Sequence, residues 1–147
     1  MPEISRSALL PYPPLFVYDI VNGVEEYPEF LPWCGDARIE RQDDTALQAA
    51  IQIRGAGLNA WFRTRNSMVP GESIEMQLVD GPFRKLHGRW EFKPLDNSGC
   101  KIELALDFEF KAGLARLISP AFTRIANTMV DSFCQRAHEL HAKQDID

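Results

Sequence analysis

The stretch GAGLNA, Gly55 to Ala60, fits the G-x-G-x-x-A form of the dinucleotide fingerprint. Glu75 follows at about the ~20-residue distance of a ribose-binding acid. That chemistry needs a helix directly after the glycines, because its first N–H groups hold the pyrophosphate. Here the next residues, LNAWFRTRNSM, alternate with a period of two and carry no helical stripe. Gly55 and Gly57 are therefore expected in a hairpin turn, where glycine tolerates positive φ.

The sequence HELH places His138 and His141 three apart on one helix, a spacing that could serve a metal. Such a site needs a third ligand, and the remaining histidine, His87, falls on the outward side of a strand. A solvated helix end is the expectation. The three cysteines are odd in number and show no CxxC spacing, which fits a reducing, cytoplasmic compartment better than a disulfide framework. Cys34 follows Trp33 in what reads as a loop, with no base tied to it. Cys100 and Cys134 lie on apolar faces, where a thiol acts as a small hydrophobe. Asp107 and Glu109 alternate with Leu106, Phe108 and Phe110, so they point outward and do not form an acid–base pair. No catalytic residue, no metal ligand and no required cofactor is assigned.

Charge is more informative. Basic residues number 16 and acidic residues 21, yet the middle third of the chain is net basic. Arg63 and Arg65 share the outward face of one strand. His87, Arg89 and Lys93 share that of another, with Arg84 and Lys85 in the turn before it. This face is the expected contact for RNA phosphates, with Trp61 as its single aromatic. Nothing in the pattern points to DNA.

These side chains need elements to position them. The 147 residues suit one domain, 1–147, with enough chain to bury a core unaided. Glu3 to Leu10 reads as a strand, stopped by Pro11, Pro13 and Pro14. Leu15 to Val21 has helical spacing, and Glu25 to Phe30 reads as a second short helix containing Pro28. The period then changes to two in five runs: Leu47–Ile53, Ala60–Met68, Ile74–Leu78, Leu86–Phe92 and Cys100–Phe110. Turn chemistry separates them: RGAG, PGES, DGPF and DNSG. Such alternation means antiparallel strands with one wet and one buried face. Phe122, Ile125, Met129, Phe133, Ala137 and Leu140 then mark a long amphipathic helix, with Ser119-Pro120 as either its N-terminus or a kink. The expected fold is α+β: a curved antiparallel sheet wrapped around a long C-terminal helix, with two short helices after the first strand. No apolar run approaches the ~18 residues of a membrane span, and the N-terminus does not read as a signal peptide.

The inward face is rich in large side chains. Phe62, Met76, Leu78, Trp90 and Phe92 come from the strands, with Leu104, Leu106 and Phe108 from the last of them. Phe122, Met129 and Phe133 come from the helix. They form either a packed core or the wall of an apolar cavity, since a sheet wrapped on one helix often does not close completely. Thr64 and Asn66 share the inward parity. A buried Asn requires hydrogen-bond partners, so it either bonds within the protein or orients the polar head of an apolar ligand.

Five stretches, EYPEFLPWC (25–34), FRTRN (62–66), LVDGPFRKLHGRWEFKPL (78–95), CKIELALDFEF (100–110) and MVDSFCQRA (129–137), resemble the START-type, polyketide-cyclase-like superfamily. Within it the similarity is to the coenzyme Q-binding branch that includes the bacterial ribosome association toxins. The segment LPYPPLFVY (10–18) is richer in proline than the start of that family's first helix. The resemblance implies a helix-grip fold, in agreement with the element order. It also implies binding to the large ribosomal subunit that blocks subunit joining, together with a small antitoxin partner. For mitochondrial relatives it implies binding of ubiquinone, a hydrophobic small molecule, in support of respiration. The family supplies no catalytic motif to carry over. Aromatase or cyclase activity remains a third reading by superfamily analogy alone. The loops LPWC and DGPFRK are expected at the cavity mouth, with Trp33 and Phe83 as gate or packing residues.

Overall fold

The computed structural model describes residues 3–55, 58–96, 98–111 and 115–146. Strand β1 (Glu3–Leu10) leads into helix α1 (Pro14–Asn22) and a 3₁₀ segment (Val24–Glu29). Six further strands follow: β2 (Cys34–Gln42), β3 (Ala46–Gly55), β4 (Leu58–Val69), β5 (Ser73–Asp80), β6 (Phe83–Pro94) and β7 (Cys100–Phe110). The chain closes with helix α2 (Ala115–Ile146). All seven strands form one antiparallel sheet in the order β1-β7-β6-β5-β4-β3-β2. The meander runs from β2 to β7, and β1 returns to pair with β7. The connection from β1 to β2 therefore joins opposite edges of the sheet, which is why α1 and the 3₁₀ segment cross its open end.

The local chemistry explains these boundaries. Pro14 occupies the first turn of α1, where its missing N–H costs nothing, and Pro13 supplies an extended N-cap with ψ of 148°. The second short helix is 3₁₀ and begins one residue earlier than expected. Strand β7 alternates without a break: Cys100, Ile102, Leu104, Leu106, Phe108 and Phe110 are buried while Lys101, Glu103 and Asp107 face out. Helix α2 packs on this surface. Its buried stripe is Phe122, Ala126, Val130, Phe133 and Ala137, rotated slightly from the expected one, so that Ile125 and Met129 are only half-buried. The two alanines let the helix approach the sheet, and each large buried side chain contributes about 1.5–3 kcal/mol. Pro120 lies inside the continuous helix, so the N-terminus reading of Ser119-Pro120 does not hold and the dipeptide belongs to a longer helix.

Two expectations need correction. Strand β2 is absent from the alternating runs because register shifts at Cys34/Asp36 and Ile39/Arg41 break its two-residue period. Cys34 opens this strand and is buried, not looped out. The GAGLNA stretch is a hairpin: Gly55 pairs with Leu58, and β4 follows where a nucleotide-binding helix would be needed. Ala56 and Gly57 themselves lie outside the described residues.

Candidate functional site

A cavity of about 60 Å³ lies between the concave sheet face and α2, beneath the 3₁₀ segment. The sheet contributes Ile51, Phe62, Thr64, Asn66, Met76, Leu86, Trp90, Leu104 and Leu106 to its wall, and α2 contributes Phe122 and Met129. Val24, Tyr27 and Trp33 close it from above. Tyr27 is fixed there because its hydroxyl donates to the Val21 carbonyl, and burial raises its pKa.

The lining is apolar apart from one designed-in polar pair. Thr64 and Asn66 are 3% and 5% exposed, and the Thr64 hydroxyl donates to Asn66 Oδ1 at 2.9 Å. Two residues apart on β4, they point to the same side, which is the condition for this bond. It engages the amide oxygen of Asn66 and not its nitrogen. At ~10–15 Å³ per water, the cavity has room for only a few waters. It is also smaller than the ~150 Å³ void that accepts a benzene ring.

Nine of the thirteen residues expected to line a cavity do so: Phe62, Thr64, Asn66, Met76, Trp90, Leu104, Leu106, Phe122 and Met129. The other four are packing residues. Phe108 is 0% exposed, with its ring 4.7 Å from that of Phe122. Phe133 packs edge-on against Trp90 at 5.2 Å and also against Tyr27 and Phe30. Phe92 meets Tyr18, and Leu78 sits partly buried at the margin of the core. Trp33 reaches the cavity as expected. Phe83 does not stand at a mouth: it is 2% exposed and stacks on Phe110 at 4.6 Å. Gly81 positions it, since φ of 143° there suits glycine and an added Cβ would lie 2.6 Å from Phe62 Cβ. Val24, Tyr27, Ile51 and Leu86 complete the wall unannounced. Ile51 and Leu86 lay on inward parities, whereas the placement of Val24 and Tyr27 follows from how the 3₁₀ segment crosses the sheet.

The groups with reactive potential are placed as follows. Burial pushes the thiols of Cys34 and Cys100 up to about 11, which keeps them protonated near neutrality. His138 and His141 are not a merely solvated helix end. His138 Nδ1 bonds the Tyr12 hydroxyl, and the His141 ring lies 4.6 Å from that of Tyr12. They tie the end of α2 to the segment before α1. Among the described residues no cluster of three metal-ligating side chains exists.

The basic outer face is not an open positive surface. Arg63 bonds Glu40 at 3.0 Å and approaches Asp80 at 3.4 Å. Arg84 meets Glu109 and Lys85 meets Asp107 at 2.6 Å. Arg89 is held by Glu75 and Glu91, and Lys93 by Glu103 and Glu91. His87 lies 3.8 Å from Glu75. These carboxylates come from the neighbouring strand, from the same strand in the case of Glu91, or from across β3 in the case of Glu40, so the expected footprint is a charge-balanced ladder. Hydrogen bonds donated to Asp107 and Glu103 raise the pKa values of Lys85 and Lys93. Arg65 alone of the six expected contacts has no carboxylate within 4.0 Å among the described residues.

Comparison with known proteins adds a relationship to this geometry. The family model described as polyketide cyclase / dehydrase and lipid transport matches residues 10–134. The chain is 48% identical over 140 residues to "Ribosome association toxin RatA" of Pseudomonas aeruginosa, covering 95% of this chain and 97% of that protein. It is 44% identical over 143 residues to the protein of the same name in Escherichia coli K12, covering 97% and 90%. A more distant relative, at 27% identity, is the "Coenzyme Q-binding protein COQ10 homolog B, mitochondrial" of Xenopus laevis, with 98% of this chain matched to 61% of that one. Among solved structures, the 18 kDa protein CC1736 from Caulobacter crescentus superposes with a TM-score of 0.75 at 30% identity, covering 97% and 99% of the two chains. The Zhui aromatase/cyclase gives 0.79 at 14% identity over 93% of each chain, a likeness of fold alone. Among the described residues no helix is long and apolar enough to cross a membrane.

Proposed function

Since this chain belongs to the polyketide cyclase / dehydrase and lipid transport family, we propose that it acts by binding and not by catalysis. Its target is the large ribosomal subunit, and its effect is to block joining of the small one. The observation that carries this reading is near-full-length identity of 48% and 44% to two proteins named for ribosome association. The buried, high-pKa thiols fit a binding protein better than a nucleophilic enzyme.

Purified subunits test the proposal directly. The protein should co-sediment with large subunits in a sucrose gradient and reduce the fraction of joined ribosomes when both subunits are supplied. Binding through phosphate contacts should weaken as salt rises from about 50 to about 200 mM. Failure to sediment with large subunits, together with undiminished joining, would refute it.

A second reading, uptake of an apolar ligand such as ubiquinone, is favoured by the Thr64–Asn66 pair inside an otherwise apolar wall. A ring-sized guest would require side-chain movement, for which Met76 and Met129 are suited by their flexible chains. Native mass spectrometry of protein from its own host tests this. A near-stoichiometric quinone or lipid supports the carrier role, and a clean apo mass from quinone-containing cells removes it.

A further inference from the structure

We infer that the outer face of β2–β3–β4 is an RNA-binding surface, in which Arg38, Arg41, Arg54 and Arg65 contact phosphates and the Arg38–Trp61 stack receives a base. This deepens the ribosome reading by naming its contact surface, and it rests on that reading.

The register assembles the patch. One row across the sheet is Arg41–Gln48–Arg65, the next carries Arg38, Ala50 and Arg63, and the third is Asp36–Gln52–Trp61. Arg54 pairs with Asn59 beyond it. Strands lie ~4.8 Å apart and same-face residues ~7 Å apart along a strand, so the four arginines span roughly 10 by 20 Å. Ala50 is 1% exposed despite its outward parity, because Arg38 and Arg63 flank it in register.

The two halves of the outer face differ in how their charges are used. On β6, each of Arg84, Lys85, His87, Arg89 and Lys93 has a carboxylate within 4.0 Å. On β2–β4, only Arg63 does among the described residues. The acids near the patch are already engaged. Glu40 holds Arg63 and accepts from Gln48. Asp43 accepts from the backbone N–H groups of Thr45 and Ala46 at 2.8 and 2.9 Å. Asp36 accepts from the N–H of Ala37.

The chemistry favours RNA. Arginine presents planar, bidentate donors to phosphate. The Arg38 guanidinium lies 4.6 Å over the Trp61 ring, a stack whose outer face matches the way unpaired bases pack on aromatic and guanidinium planes. Gln48, Gln52 and Asn59 add amide donors and acceptors between the charges, with Gln52 already bonded to Asn59 at 2.8 Å. A membrane surface fits less well. Interfacial binding needs apolar groups to insert, and among the described residues the exposed large hydrophobics are Leu9, Leu15, Val69, Val79 and Leu95, none of them on this patch.

The test compares Arg41→Ala/Arg65→Ala and Arg38→Ala/Arg54→Ala with the charge-neutral control Arg84→Gln/Glu109→Gln. Each is sedimented with purified large subunits over about 50–200 mM salt. Each lost phosphate contact should flatten the slope of log affinity against log salt by about 0.7–0.9, while the control follows the wild type. Arginine variants that keep the wild-type slope and affinity overturn the inference. If wild-type protein ignores large subunits, the ribosome reading falls, and a single-stranded oligoribonucleotide then judges the patch alone. Binding by wild type that the arginine variants lose supports it, and absence of RNA binding at about 50 mM salt overturns it. Phosphatidylserine vesicles bound in preference to RNA, through the same arginines, would also overturn it.

Discussion

Replacing the buried polar pair offers the sharpest check on the cavity. Thr64→Val leaves Asn66 Oδ1 without the donor that now lies 2.9 Å away, and Asn66→Leu leaves the Thr64 hydroxyl without its acceptor. Both residues are nearly inaccessible, and the surrounding wall is apolar. Stranding one buried partner costs about 1–3 kcal/mol, whereas replacing both by apolar groups of similar shape is close to neutral. Each single variant should therefore lose about 1–3 kcal/mol and the double variant less than either. That corresponds to a coupling of at least about 1 kcal/mol in the double-mutant cycle. A water in the cavity could rescue the orphan, but it needs two to four polar partners, and this wall offers little beyond the pair itself. The assay is urea unfolding followed by tryptophan fluorescence, with the m-value checked for constancy. Single variants that each cost under about 0.5 kcal/mol and add independently would show that the pair is hydrated, and the dry-cavity argument would fail.

Three further outcomes follow from particular contacts. Phe108→Asp should abolish folding, seen as loss of near-UV circular dichroism, because it buries a charge in the ring cluster with Phe110 and Phe122; a folded variant would remove Phe108 from the core. Gly88→Ala should drive Met76 into the cavity, since the new Cβ would lie 2.4 Å from its terminal methyl. A cost of about 1–3 kcal/mol and a shifted Met76 methyl resonance are expected, and an unmoved resonance would contradict the packing. Glu91 is held below its ordinary value of 4.5, first by its hydrogen bond from Arg89. Its folded pKa is depressed, so its contribution to stability is present above pH 4.5 and is lost as pH falls through the folded value. Thermal melts should show Glu91→Gln narrowing the acid-induced drop in midpoint, and an unchanged drop would refute the assignment.

The antiparallel meander, the terminal helix and most of the cavity wall were legible because a two-residue or 3.6-residue period is a local property of the chain. Each of the long runs, above all Cys100–Phe110, keeps one parity throughout its strand. Strand β2 was hidden because its register shifts reverse parity twice. The distinction between lining and packing was hidden too. Phe108 and Phe122 share an inward face, yet only Phe122 reaches the cavity, a matter of where α2 crosses the sheet.

The sequence by itself determined which residues of the strands after β2 face inward, where the hairpins turn and that GAGLNA could not start a nucleotide-binding helix. Only the tertiary structure decided how the charges are spent. The carboxylates that neutralise Arg63 and Arg84 are 23 and 25 residues away along the chain, but Glu40 reaches Arg63 across β3 and Glu109 meets Arg84 from the neighbouring strand. Arg38, Arg41, Arg54 and Arg65 carry the same charge and have no carboxylate within 4.0 Å among the described residues. Composition counts charges, whereas strand register sets the few ångströms over which one charge cancels another.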